Sequence, residues 1–399
     1  MIPELRTQFN KEFTAEKYEE FLQDLDSKYP ASIDFRVAET PLFVPNGFTQ
    51  KMLKACETII DFIKDPAFKK LTDRSIPKDE SVPGENGHTQ FIAFDFGICE
   101  NINGDLEPQL IEMQGFPSLF AFQVYYPQIL RKHFNIPDNF SHYLNGYNDN
   151  AYLQLLRDIV LGEHDPENVI LLEIKPHEQK TRIDFYFTQY YLGVPIVCIT
   201  ELIGEGNKLY YKKGDHKIEV KRIYNRVIFD ELRQTRDKLG NIVDITQPYD
   251  VEWVPHPNWF YRISKFTLPF ISHPYVPQTF FLNELKHLPE DLENFVLKPL
   301  FSFAGQGVII DVTKEDIDAI PKPENWILQR KVNYANVVQT PGSPAKAEIR
   351  LFYFWKNGME RPIAVTNLAR LSKGKMIGVR YNKDKDWVGG SVCYFEKPD

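Results

Sequence analysis

The chain has 399 residues, 43% hydrophobic and 14% aromatic, with 47 Lys and Arg against 55 Asp and Glu for a formal net charge of -8. This size and apolar content suit about two or three folded domains and exclude a disordered or fibrous chain. The acidic balance excludes a general attraction to nucleic acid or to anionic membrane, so any anionic ligand has to be held by local positive groups.

No apolar run approaches the roughly 18 residues of a membrane span, and the opening MIPELRTQFNKEF lacks the apolar core of a signal peptide. The four cysteines (Cys56, Cys99, Cys198, Cys393) are far apart, with neither zinc spacing nor the look of a disulfide framework. The expected compartment is the cytoplasm.

In chain order, the first stretch reads as helical: Met52, Leu53, Cys56, Ile59, Ile60 and Ile63 recur at the spacing of one buried helix face. Lys78 to His88, KDESVPGENGH, has the turn residues and charge of a solvated connection or a mobile flap. Phe91 to Ile98 and Gln109 to Gln114 alternate around Asn103-Gly104-Asp105 and read as a β-hairpin with a long loop. Helical patterns follow over about 118–133 and 151–161. After the breaker-rich Gly162 to Pro166, the strand Val169 to Ile174, a helix over Thr181 to Leu192 stopped by Gly193, and the strand Pro195 to Leu202 predict a parallel pair with a right-handed crossover. That unit spans about 166–250. Asp250 to Pro277, rich in Pro and aromatics, reads as a return connection, and from Asn294 onward short apolar segments predict strands of an antiparallel or mixed sheet.

Three constellations suit chemistry. Phe295 to Ile310, FVLKPLFSFAGQGVII, is a strand, a Gly-containing loop and a strand; backbone N–H groups of Ser302 to Gly307 suit a phosphate, Gly305 and Gly307 permit close approach, and Lys298 supplies countercharge. It is neither a Walker loop nor a dinucleotide fingerprint, since no helix opens after the glycines; an ordinary hairpin turn with an exposed lysine has the same pattern. In the early hairpin, period-two alternation puts Asp95, Glu112 and Gln114 on one face, hard oxygen donors of the kind Mg²⁺ takes together with substrate phosphates; a solvated sheet face is the alternative. In the tail, Arg350 in AEIRLFYFW and Arg370 in TNLARLSKGK suit planar grip on phosphate or carboxylate, or surface pairing with Glu348 or Asp311. There is no HExxH, no GxSxG and no cysteine nucleophile signature, and basic residues form no stripe with aromatics, so nucleic acid is not an expected partner.

FVLKPLFSFAGQGV resembles the phosphate-clamping lysine and lid loop of the ATP-grasp superfamily, and the motif order over roughly 90–390 resembles its circularly permuted branch, typified by the synthetase domain of glutathionylspermidine synthase. The resemblance implies that Asp95 in FDFG and Glu112 and Gln114 in LIEMQ hold magnesium, and that Lys265 in SKFTLP and Lys298 hold ATP phosphates. It further implies that Ser302, Gly305 and Gly307 belong to a closing lid, and that Gln329, Lys331 and Val332 in WILQRKV lie beside adenine. Arg350, Asn367 and Arg370 are looser matches, with the two arginines expected to act on the transferring phosphoryl group or acyl oxygen. Two departures stand out: Gln114 replaces the family's Asn, and the lid lacks the Arg-Glu-Gly of the glutathionylspermidine enzymes.

The fold class so implied is α+β, an ATP-grasp-like, circularly permuted arrangement of mixed and antiparallel sheets with an inserted α/β unit. Its parts are 1–165 with the N-terminal helices and metal hairpin, 166–250 as a substrate unit, and 251–399 with the nucleotide-binding part and lid. The implied activity is an ATP- and Mg²⁺-dependent carboxylate–amine ligase working through an acyl phosphate. The alternative is a non-catalytic nucleotide- or partner-binding protein on the same scaffold. The expected partners are a small carboxylate and a small amine; their identities and the oligomeric state have no signature in the sequence.

Overall fold

A computed structural model describes residues 1–301, 305–374, 377, 382 and 384–398. It is a mixed α+β structure built on several sheets. The central one has five antiparallel strands in the order Gly389–Ser391, Ile363–Ser372, Lys346–Phe354, Phe91–Glu100, Leu106–Gln114. Phe91–Glu100 lies inside the sheet, and its even positions Ile92, Phe94, Phe96 and Ile98 join the core that includes the helix Asn46–Lys64. That helix buries Met52, Cys56, Ile59, Ile60 and Ile63, the stripe its spacing predicts, with Leu53 half-buried at the margin. On the opposite face Phe91 and Ala93 belong to a second core shared with the helices Phe122–His133 and Asp149–Leu161. The sheet thus has an apolar core on both sides, interrupted on the second face by the buried, polar Asp95.

The hairpin loop is short rather than long. Asn101 Oδ1 accepts the N–H groups of Asn103 and Asp105 at 2.9 and 3.0 Å, and Gly104 takes φ 83°, so five residues reverse the chain.

The α/β unit holds four parallel strands in the order Glu252–Val254, Arg222–Asn225, Val169–Glu173, Ile196–Cys198. The crossover helix Arg182–Leu192 ends on Gly193 at φ 78°, a left-handed stop that a Cβ disfavours. Glu252–Val254 lies in the segment read as a return connection, so this sheet reaches past residue 250; three residues between Pro-rich flanks are too few for alternation to show. Pro195 to Leu202 is strand only over Ile196–Cys198 and continues as a 3₁₀ turn. The described strands after Asn294 divide among three sheets: Lys346–Phe354, Ile363–Ser372 and Gly389–Ser391 join the central one, Cys393–Glu396 lies between Leu42–Val44 and Phe140–Ser141, and Phe295–Pro299, Ile309–Ile310 and Trp326–Arg330 form, with the earlier Thr279–Phe281, an antiparallel sheet of four. No described helix is long and apolar enough to cross a membrane.

Candidate active site

The strand registers bring the sequence-predicted residues together. Asp95 faces Glu112 across the hairpin and Arg350 across the other edge, Ala93 faces Gln114, and Glu348 faces Arg370. Because neighbours two residues apart share a face, Asp95, Glu112, Gln114, Glu348, Arg350 and Arg370 form one polar island in an otherwise apolar sheet. Gly97, beside Asp95, makes room for it: a Cβ there would come within 2.8 Å of the Tyr334 ring, whose hydroxyl donates to Glu348.

Asp95 is fully buried and gripped by two arginines. Arg350 donates Nε and Nη2 to its two oxygens at 2.5 Å each, and Arg370 Nη2 donates at 2.5 Å as well as pairing with Glu348 at 3.0 Å. Burial works against ionisation of Asp95, but the charges of Arg350 and Arg370 outweigh it and hold the carboxyl below its ordinary range. At Glu348 burial prevails over Arg370 and raises the carboxyl. The surface pairing expected for a strand arginine does not occur for Arg350, which is half-buried and pairs with the buried Asp95; Asp311 pairs instead with Lys331 at 2.6 Å.

Two lysines approach the island from other segments. Lys265 opens a 3₁₀ turn whose Ser264 cap accepts the N–H of Phe266, and its ammonium lies 4.0 Å from Glu112. Lys298, from the neighbouring antiparallel sheet, donates to Gln329 Oε1 at 2.5 Å and to the Ile111 carbonyl at 3.2 Å. It is buried, not the exposed lysine of an ordinary hairpin turn. Burial pulls its ammonium down to about 8; Glu112 resists that shift and Lys265 adds to it. Burial lowers Lys265 too.

The remaining expected residues are placed less centrally. Gln329 turns its side chain inward, to Lys298 and Thr279, rather than outward toward a base. Lys331 is spent on Asp311 and the Glu293 carbonyl, and Val332 is half-buried beside it. Gly305 and Gly307 are exposed in a turn at φ 71° and 73°, and a Cβ on Gly307 would come within 2.9 Å of Pro299. Ser302 lies outside the described residues. Asn367 is structural: it donates to the carbonyls of His142 and Cys393 and accepts the Cys393 N–H. Glu348 figured in the sequence only as a surface partner, and Tyr334 and Ser118 carry no motif signal, yet all three touch the arginines or their partners. A cleft of about 1140 Å³ between the helix Asn46–Lys64 and residues 138–150 shares none of these residues.

As a magnesium site the donor set does not fit. Asp95 has both oxygens committed to guanidinium groups. Glu112, 30% exposed, is the carboxylate of the set most open to solvent.

No family model and no curated protein matches the chain. Among solved structures it is similar to a glutathione synthetase-like effector (GSS30) from Globodera pallida in its apo form, with 9% identity, a TM-score of 0.58 and coverage of 96% of each chain. At that identity the likeness concerns the fold, and it runs over nearly the whole length: the chain has a glutathione-synthetase-like fold.

Proposed function

We propose that the chain binds a nucleoside triphosphate, ATP in the pattern of the ATP-grasp resemblance, with its phosphates drawn to Lys265 and Lys298. The observation that carries this reading is the convergence of two buried lysines, from different segments, on one sheet face that already holds two arginines. Four basic groups so placed exceed the three carboxylates among them, and buried charge of that sign is costly unless an anion shares it. Saturable ATP binding, followed by calorimetry, tests it. Lys298→Ala is expected to weaken binding at least about tenfold, some 1.4 kcal/mol, the scale of one lost charge-assisted hydrogen bond. Unchanged affinity removes Lys298 from the site.

Two readings diverge beyond binding. The ligase-type fold supports a carboxylate–amine ligase, in which a carboxylate takes the γ-phosphoryl group and an amine then displaces phosphate; Arg370 would steady the developing charge. The grip of Arg350 and Arg370 on Asp95 favours binding without turnover, since it occupies a residue the ligase pattern assigns to the metal. Amine-dependent phosphate release across a panel of small carboxylates separates them, and the site geometry favours the second.

A further inference from the structure

Asp95, Glu112 and Gln114, the three side chains that the resemblance gives to a magnesium ion, all face the same guanidinium. Arg350 donates to both oxygens of Asp95 at 2.5 Å, and its Nη2 stands 3.7 Å from Glu112 Oε1. In the amide orientation that satisfies both groups, Gln114 accepts from Nη2 at 2.7 Å and from Nη1 at 3.2 Å. Ser118 Oγ takes a further Nη1 bond at 3.3 Å. The departure at Gln114 acquires a reason here: the longer amide extends far enough to accept from a guanidinium.

We propose that Arg350 stands in place of the divalent cation in this site, so that the chain takes up an anionic polyphosphate without magnesium. A guanidinium keeps its charge at all working pH and binds a carboxylate through two parallel bonds, so it neutralises Asp95 permanently where a metal would do so only when bound. To admit an ion at Asp95, about 2.0–2.1 Å from its oxygens, the site would have to displace Arg350, whose side chain is only 12% exposed, and break its paired bonds to the buried carboxylate. The identity of the anion rests on the nucleotide reading above; the replacement of the ion does not.

Two measurements on the full chain decide it. The first is a Mn²⁺ titration read by electron paramagnetic resonance without nucleotide. The wild type is expected to bind no Mn²⁺ below about 1 mM, whereas Arg350→Ala, which leaves Asp95 and Glu112 facing each other with less countercharge, gains a site in that range. A wild-type Mn²⁺ site lost in Glu112→Gln overturns the proposal, and this arm needs no folded Arg350 variant. The second is calorimetric ATP binding in excess EDTA and in Mg²⁺. Affinities within about threefold support the proposal, and a loss beyond about tenfold on chelation overturns it. Absence of ATP binding in both buffers ends the nucleotide reading, and the Mn²⁺ titration then decides the role of Arg350 alone.

Discussion

Lys298 is a residue at which burial and charge pull against each other, and the balance is readable by pH. Its ammonium is lowered to about 8 by burial, with Glu112 and Glu348 opposing and Lys265 reinforcing the shift. An anion held by this lysine is bound below that value and released as the ammonium titrates, so affinity is expected to fall about tenfold between about pH 7 and about pH 9. Lys298→Met should give a flat profile over the same window. Stability linked to the group runs the other way: the unfolded chain holds the proton up to about 10.4, so between about 8 and 10.4 the folded state gains stability as pH rises. A wild-type binding profile as flat as the variant's would sink the assignment. Part of this was legible in the sequence, because a lysine closing an apolar strand before a Gly-containing loop is a local pattern. The grip of Arg350 on Asp95 was not, since it depends on a register between strands 255 residues apart. Period-two alternation gives the face of Asp95 but not its neighbour on the other side.

At the scale of elements, the segment from Lys78 to His88 shows how polarity misleads. Its charge and turn residues read as a solvated connection or a mobile flap; Lys78, Asp79, Ser81, Pro83, Gly84 and Gly87 are exposed, but the segment is strapped to the turn and short helix ahead of Lys265. Glu85 accepts from Arg262 at 2.7 and 3.0 Å and from Asn258 at 2.8 Å, and Asn86 accepts the Trp259 indole N–H at 2.7 Å. Asn258 also exchanges hydrogen bonds with the Val82 backbone, and His88 stacks on Trp355 with centroids 4.1 Å apart. Burial opposes ionisation of Glu85, but Arg262, Asn258 and Lys69 hold its carboxyl below the ordinary range. Asn258, Trp259 and Arg262 lie 173 or 177 residues along the chain from Glu85 and Asn86, beyond any local pattern. The strap continues into the site, because Ile263 accepts the Gly115 N–H at 2.8 Å, and a Cβ on Gly115 would come within 2.8 Å of the Trp259 carbonyl. Arg262 is 5% and Glu85 10% exposed at the side chain, so the pair is a buried one. Arg262→Met, which leaves Glu85 without its main partner, is expected to cost about 3 kcal/mol in urea unfolding. A cost below about 0.5 kcal/mol would assign the pair the value of a surface contact and return the segment to the status of a loose loop.

For the whole molecule, the site lies where two sheets meet. The antiparallel sheet carrying Lys298 is tied to the central sheet by the bond from Lys298 to the Ile111 carbonyl and by the segment after Arg330, whose Asn333 carbonyl accepts from Glu100 and whose Ala335 N–H donates to Ile98. A ligand held between Lys298 on one sheet and Lys265, in the 3₁₀ turn beside Glu112 of the other, closes a further bridge across that seam. Ligand at about 100 times its dissociation constant adds roughly 2.7 kcal/mol to the stability of whatever must open to release it. If the bridge exists, amide exchange should slow on both sides together, over 106–114 in the central sheet and over 295–299 and 326–330 in its neighbour, because opening either one costs the ligand. Lys298→Ala should abolish the effect in both sheets, not only in its own. Protection confined to 295–330 would mean that the anion sits on one sheet alone, and Lys265 with the arginine island would then belong to the fold rather than to the site.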